Sequence, residues 1–429
     1  MRILIKNIDI LTADIENPLV KDGSILIEGD KIVSLNANLD TLADKCIDGT
    51  GKLAMPGLIN THCHSPMTLL RGFAGDKTLE DWLFNHIIPT ESRLTPEMVY
   101  WGTMLGICEM IKSGTTCFAD MYFMMDSVAK AVVESGIRAN LAIGPISHPA
   151  VGEEVFDANS ALDFISHWQG AANGRLTSSI EIHSVYLYKE ENIRKAAAFA
   201  KQQGLGIHMH LLETEYEMAQ TPKVYGVDSV ELARRCGMFD VPNLAAHCVH
   251  VSDEQMDVLA KNGVSVAHNI TSNLKLASGV ARISEMQKRG INVTIGTDGA
   301  ASNNNLNMFE EMHIAALVHK GVSGDATTLD CGTVIQMATA NGAKALGLAE
   351  TTGIIRSGLK ADIVILDLDK PHLQPVNDLE SLVVYSAQAA DVDTVIVDGE
   401  ILLEAGKLTQ LDEAQILREA QAAHKVLFS

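Results

Sequence analysis

The sequence predicts an α/β protein: a (β/α)8 TIM barrel with a small β-sandwich domain assembled from both chain ends. Three observations carry that prediction. Residues 54–349 alternate short apolar runs with amphipathic helical stretches, the rhythm of a parallel sheet with crossover helices. The runs number eight, as a closed barrel requires. Histidines and aspartates recur where those runs end, and a barrel gathers its C-terminal strand ends into one mouth. A doubly wound sheet would spread them along an edge, and it lacks a G-x-G-x-x-G turn after its first strand.

The elements follow in order. The chain opens on short β runs, "ILIKNIDILTA", "GSILIEGDKIVSL" and "KCIDGTGKLAMPG", punctuated by Gly and Asp as hairpins are. The C-terminal stretch repeats that texture in "ADIVILDLD" and "VDTVIVDGEILLEAGKLT", then closes on a polar helix. These ends are expected to form one discontinuous domain, residues 1–53 plus 350–429, around a barrel of residues 54–349. The barrel strands are expected in "LAMPGLINTHCH", "TTCFADMY", "RANLAIGP", "SIEIHSVYL", "GLGIHMHLLE", "NLAAHCVHV", "VSVAHNITS" and "NVTIGTDGA". Helical stretches such as "EENIRKAAAFAKQQG" and "SDEQMDVLAKNG" between them end in Gly, which suits a helix C-cap.

Bulk properties narrow the function classes. The 429 residues are 47% hydrophobic, enough for a large core, and the net charge of −21 works against nucleic acid or an anionic membrane as partner. Seven scattered cysteines without a C-x-x-C pair argue against a disulfide framework and for a reducing cytoplasm. No apolar stretch reaches the roughly 18 residues of a spanning helix, and the N-terminal run is broken by Lys6, Asn7 and Asp9. A soluble cytoplasmic protein is expected. The Met- and Ala-rich segment 310–319 suits core packing better than an interface, and a homo-oligomer stays open.

The strand ends suggest a metal centre. In a strand, residues i and i+2 share a side, so His62 and His64 can present two imidazoles to one point. A lone H-x-H is a weak signal. Here, however, His183, His208, His210, His247, His268, Asp120 and Asp298 also stand at or near strand ends. His210 and Asp298 are the natural third and fourth ligands of a divalent ion.

The segments "PGLINTHCH", "HMHLLET", "AAHCVH", "HNITSNLKLASG" and "GTDGAASNNNLNMFEEM" together resemble the amidohydrolase superfamily, most closely its 5'-methylthioadenosine / S-adenosylhomocysteine deaminase branch. The likeness covers nearly the whole chain. It implies one divalent metal, zinc first with iron, manganese or cobalt as alternatives, held by His62, His64, His210 and Asp298. Dinuclear relatives carry a lysine late on strand four; "IEIHSVYL" has none, so a mononuclear site is expected. The implied reaction is hydrolytic deamination of an adenine nucleoside, with Asp298 and His247 handling the water's proton and Glu213 protonating N1. Glu91 would accept the ribose hydroxyls and His183 would contact the nucleoside, joining Glu213 and Asp298 as substrate contacts.

Other roles follow less directly. His208 is expected to sit deeper in the barrel, His268 to brace the loops of the mouth, and Trp82 to belong to core or pocket wall. Branch members that take S-adenosylhomocysteine place an Arg after strand three for its carboxylate. The stretch "GPISHPAVGEEVFDANSA" has neither Arg nor Lys, so an uncharged 5'-substituent is expected unless Arg71 or a neighbouring subunit substitutes. A second departure is "HSVY", where the branch more often has Pro after the Ser. Competing readings are deamination or dechlorination of another heterocycle (guanine, 8-oxoguanine, a pterin, a triazine) and an inactive metal-binding scaffold. The scaffold predicts lost mouth residues, whereas every ligand position, Glu213 and His247 are filled.

Overall fold

Two sheets organise the computed structural model, which describes residues 1–36, 38, 40–144 and 156–429. Five strands open the chain: β1 (Arg2–Leu11), β2 (Leu19–Glu28), β3 (Lys31–Leu35), β4 (Lys45–Asp48) and β5 (Lys52–Pro56). Eight follow: β6 (Leu58–Cys63), β7 (Thr115–Met121), β8 (Arg138–Ile143), β9 (Leu176–Ser184), β10 (Ile207–Leu211), β11 (Asn243–His247), β12 (Ser265–His268) and β13 (Asn292–Ile295). Four close the series: β14 (Ile363–Asp367), β15 (Val392–Val397), β16 (Glu400–Glu404) and β17 (Lys407–Leu408). The first and last groups share one nine-stranded mixed sheet, and β6 to β13 form a parallel sheet in sequential order.

The parallel strands are buried at nearly every position, because helices cover the outside and side chains fill the inside. The last strand meets the first through specific contacts. Thr61 Oγ1 donates to the Ile295 carbonyl (2.9 Å), Asn60 Nδ2 to Thr297 Oγ1 (2.7 Å), and the Asp298 amide to the His62 carbonyl (2.9 Å). This seam nearly closes the barrel and sets Asp298 beside His62. The terminal sheet keeps a core of its own, with Ile3, Ile5, Ile25, Ile27, Ile363 and Ile396 packed together.

Two details depart from the sequence reading. The run 53–64 is not one strand: Lys52–Pro56 pairs in the terminal sheet and Leu58–Cys63 in the barrel. The break falls at Gly57, where an added Cβ would stand 2.0 Å from Thr116 Oγ1, so the backbone passes too close for any side chain. The closing helix Glu413–Leu427 packs on the barrel rather than on the terminal sheet. It covers helix Pro96–Lys112, pairs Glu413 with Lys112 (2.7 Å), and lets His424 Nδ1 donate to the Leu69 carbonyl (3.0 Å). Among the described residues, no helix is long and apolar enough to cross a membrane.

The two sheets are tied by a buried charge cluster. Arg138, at the start of β8 and far from the mouth, donates through Nε and Nη2 to Asp362 (2.8 and 3.1 Å) and through Nη2 to Asp398 (3.2 Å). All three side chains are buried, so removing the guanidinium takes the cationic partner from Asp362, while Asp398 keeps Lys360 (3.1 Å). Arg138→Met is expected to cost about 3–5 kcal/mol, read as a lower thermal unfolding midpoint. An unchanged midpoint would show that solvent screens the cluster.

Candidate active site

The site is built where strands end. His62 lies inside β6 and His64 just past it, at the entry to the turn Ser65–Leu70. Asp120, on β7, holds that turn by accepting from the Ser65 amide (2.8 Å) and hydroxyl. His210 stands near the end of β10, and His247 ends β11. Asp298 follows β13 in the left-handed region (φ 62°), as does His247 (φ 72°). Such backbone costs of order 1–3 kcal/mol at a non-glycine residue, and it is common at functional sites. Asp298 is fastened by three donors: the Gly299 amide to Oδ1 (2.8 Å), and the Ser272 and Ser302 hydroxyls to Oδ2 (2.5 and 2.8 Å).

Hydrogen bonds fix the imidazole tautomers. His64 Nδ1 donates to the Met121 carbonyl and His210 Nδ1 to the His183 carbonyl (2.8 Å). Carbonyls only accept, so in each neutral ring the Nε2 lone pair is free. Those two Nε2 atoms face each other at 3.3 Å, and Asp298 Oδ1 lies 3.2 Å from His64 Nε2 and 3.5 Å from His62 Nε2. Among the described residues, the buried His62 Nε2 has no hydrogen-bond partner. Ligand atoms of His62, His64 and His210, and of His62, His247 and Asp298, fall within 4.8 Å of one another. Converging lone pairs beside a carboxylate repel unless a cation sits among them, so this donor set fits a divalent metal ion.

Asp298 draws positive charge into the cup. Burial works against a charged His64, but Asp298 outweighs it and lifts the ring to about 9. Burial pushes His62 down to about 4 and holds His210 well below the ordinary histidine range. Burial likewise opposes the charge on Asp298, yet His62 and His64 keep it well below the usual carboxylate range.

The remaining predicted residues line the cavity above the cup, whose volume is about 840 Å³. Glu213 is raised by burial, and its Oε2 lies 3.7 Å from His247 Nε2. His247 Nδ1 donates to Asn273 Oδ1 (2.8 Å), which leaves Nε2 facing Glu213 and the cup. Glu91 is buried, takes the Tyr122 hydroxyl, and is pushed up by burial to about 7. The His183 ring lies 4.3 Å from that of His210, and burial among His64 and His62 lowers it to about 3. The structure thus brings all eight predicted site residues into one mouth.

Other expectations need correction. His268 does not brace the mouth: its Nε2 meets His319 Nε2 (3.0 Å) on helix Met308–Ser323. Asn273 and Ser272, from the same "HNITSN" segment, do that work through His247 and Asp298. The strand expected in "NLAAHCVHV" stops at His247, and His250 beyond it donates to the Ser278 carbonyl (2.9 Å). Arg71 cannot stand in for a carboxylate-binding Arg, because Glu109 and the Asn304 carbonyl hold it and it does not line the cavity. Trp82 is both buried and pocket wall. Tyr122 was missed; its place directly after Asp120 and Met121 at a strand end was the available signal. The stretch after β8, with Glu153 and Glu154, falls largely in 145–155, outside the described residues.

The chain is similar to several known proteins. The amidohydrolase family matches residues 53–402. A 5-methylthioadenosine/S-adenosylhomocysteine deaminase of Acetivibrio thermocellus is 51% identical over 97% of this chain and 97% of its own. A 5'-deoxyadenosine deaminase of Methanosarcina mazei is 47% identical over 99% of this chain and 98% of its own. Among solved structures, an adenosine deaminase from Xanthomonas campestris with bound zinc is 31% identical, with TM-score 0.93 and coverage of 99% and 98% of the two chains. An atrazine chlorohydrolase from Arthrobacter aurescens complexed with zinc is 25% identical, with TM-score 0.91 over 98% of this chain and 100% of its own.

Proposed function

The chain belongs to the amidohydrolase family, and from that premise we propose that it hydrolytically deaminates the adenine of a 5'-substituted adenosine, giving the inosine analogue and ammonia. The observation that carries this reading is one cavity holding the imidazole–carboxylate cup, with Glu213, His247 and the buried Glu91 above it. His62, His64, His210 and Asp298 would hold one divalent ion, zinc as in the Xanthomonas campestris deaminase. Bound there, such an ion supplies Lewis acidity and lowers the pKa of its water to about 7.

The chain's own residues do the rest. His247, fixed by Asn273, orients the attacking water, and Asp298 takes one of its protons as the hydroxyl adds to C6. Glu213 delivers a proton to N1, which buffers the electrons pushed into the ring. Asp298 then passes its proton to the departing amine, which leaves as ammonia. The hydroxyl proton remaining at C6 replaces the one Glu213 gave. Glu91, oriented by Tyr122, accepts from the ribose hydroxyls, a contact that a free base could not use.

The described lining of the cavity contains carboxylates, methionines and aromatics but no Lys or Arg, and residues 144–161 add none. A substrate carboxylate would therefore enter without a cationic partner. A charge-assisted hydrogen bond contributes about 1.5–3 kcal/mol, so kcat/KM for 5'-methylthioadenosine should exceed that for S-adenosylhomocysteine by about 10–150-fold. Ammonia release from 5'-methylthioadenosine, 5'-deoxyadenosine, adenosine, S-adenosylhomocysteine and guanine tests both points. Preference for S-adenosylhomocysteine would overturn the 5'-group assignment, and preference for guanine the nucleoside reading.

A further inference from the structure

The three histidines of the cup are supported from behind in two different ways. His64 and His210 each donate Nδ1–H to a main-chain carbonyl, of Met121 and His183. His62 has no such carbonyl: its Nδ1 meets His208 Nε2 at 2.9 Å. Both rings are buried, 0% and 1% exposed, so water cannot replace either partner. His208 shares the inward side of β10 with His210, one layer deeper in the barrel. Among the described residues its own Nδ1, which is buried, has no hydrogen-bond partner, which leaves the contact to His62 as its one polar engagement there.

We propose that His208 is a positioning residue for the metal centre: its Nε2 accepts the Nδ1–H of His62, which fixes the His62 tautomer and aims the His62 Nε2 lone pair into the cup. Without an acceptor behind it, neutral His62 could place its proton on Nε2, toward the cup, where it cannot ligate. The ring would also be free to turn about χ2. Partners of this kind, standing behind a ligating histidine, typically change metal affinity about 10–100-fold. An imidazole acceptor polarises more readily than a carbonyl, so the support stiffens as the ligand becomes more acidic on binding a cation.

This inference rests on the reading that the cup holds a metal ion, and zinc affinity tests the two separately. Zinc binding by the wild-type chain, His208→Leu and His208→Gln is measured by competition with a chromogenic chelator, with cobalt absorption as a second readout of ligand geometry. The Leu variant keeps apolar volume without an acceptor, whereas the Gln variant places an oxygen where Nε2 stands. The expected result is zinc affinity about 10–100-fold weaker for Leu, with an altered cobalt spectrum, and near wild-type behaviour for Gln. Equal affinity of wild type and the Leu variant overturns the proposal. So does a Gln variant as weak as Leu, which would make His208 a packing residue; if Leu fails to fold, His208→Met, which also lacks a nitrogen or oxygen acceptor, takes its place. A wild-type chain that binds no zinc at all defeats the reading of the cup instead.

Discussion

Asp298→Ala is expected to remove bound zinc and to lower kcat/KM by at least about 10⁴-fold, the upper range for losing one proton-transfer group. The effect should be the largest of any single substitution in the mouth, because three functions meet in this carboxylate. It supplies the one anionic ligand among neutral imidazoles, it takes and returns the water's proton, and it anchors the loop after β13. Its Oδ1 lies within 3.5 Å of the His62 and His64 Nε2 atoms, while Ser272, Ser302 and the Gly299 amide fasten it from behind. The substitution leaves those three donors without their acceptor and the cup without its charge. Zinc per chain and ammonia release from 5'-methylthioadenosine check it together. A variant that keeps stoichiometric zinc and activity within tenfold would mean that Asp298 serves the loop alone.

Glu213→Gln is expected to lower kcat by about 10²–10⁴-fold while KM and zinc content stay near wild type. The side chain keeps its shape and its place beside His247 but can no longer give a proton to N1. Its pH signature follows from burial, which raises Glu213 above its ordinary value of 4.5. The protonated form is the donor, so the competent fraction is full below that raised pKa and falls as pH climbs through it. The wild-type enzyme should lose kcat on the alkaline side of that pKa, and the Gln variant should lack the corresponding limb. A Gln variant with near-normal kcat, or with the limb intact, would assign N1 protonation to another group.

Much of this was written in the order of residues. The eight apolar runs, each short and buried on both faces, dictated a parallel sheet, and "NTHCH", "HMH" and "TDGAAS" placed ligand types at strand ends. Local periodicity also set His62 and His64 apart by two residues and so on one side of a strand. What periodicity could not show was any contact between segments distant in the chain. It joined residues 54–56 to the barrel, because an apolar strand looks alike in either sheet; Gly57 separates them only through the approach of Thr116. It assigned bracing to His268, where Asn273 and Ser272 perform it, because the direction of a side chain depends on which loop crosses above it. It put the last helix with the terminal sheet, though its apolar stripe found a partner on helix Pro96–Lys112. The sequence by itself determined which chemical groups the mouth would own. Tertiary closure decided which nitrogen of each ring carries its proton, since that depends on acceptors such as the Met121 and His183 carbonyls and His208, brought from other strands.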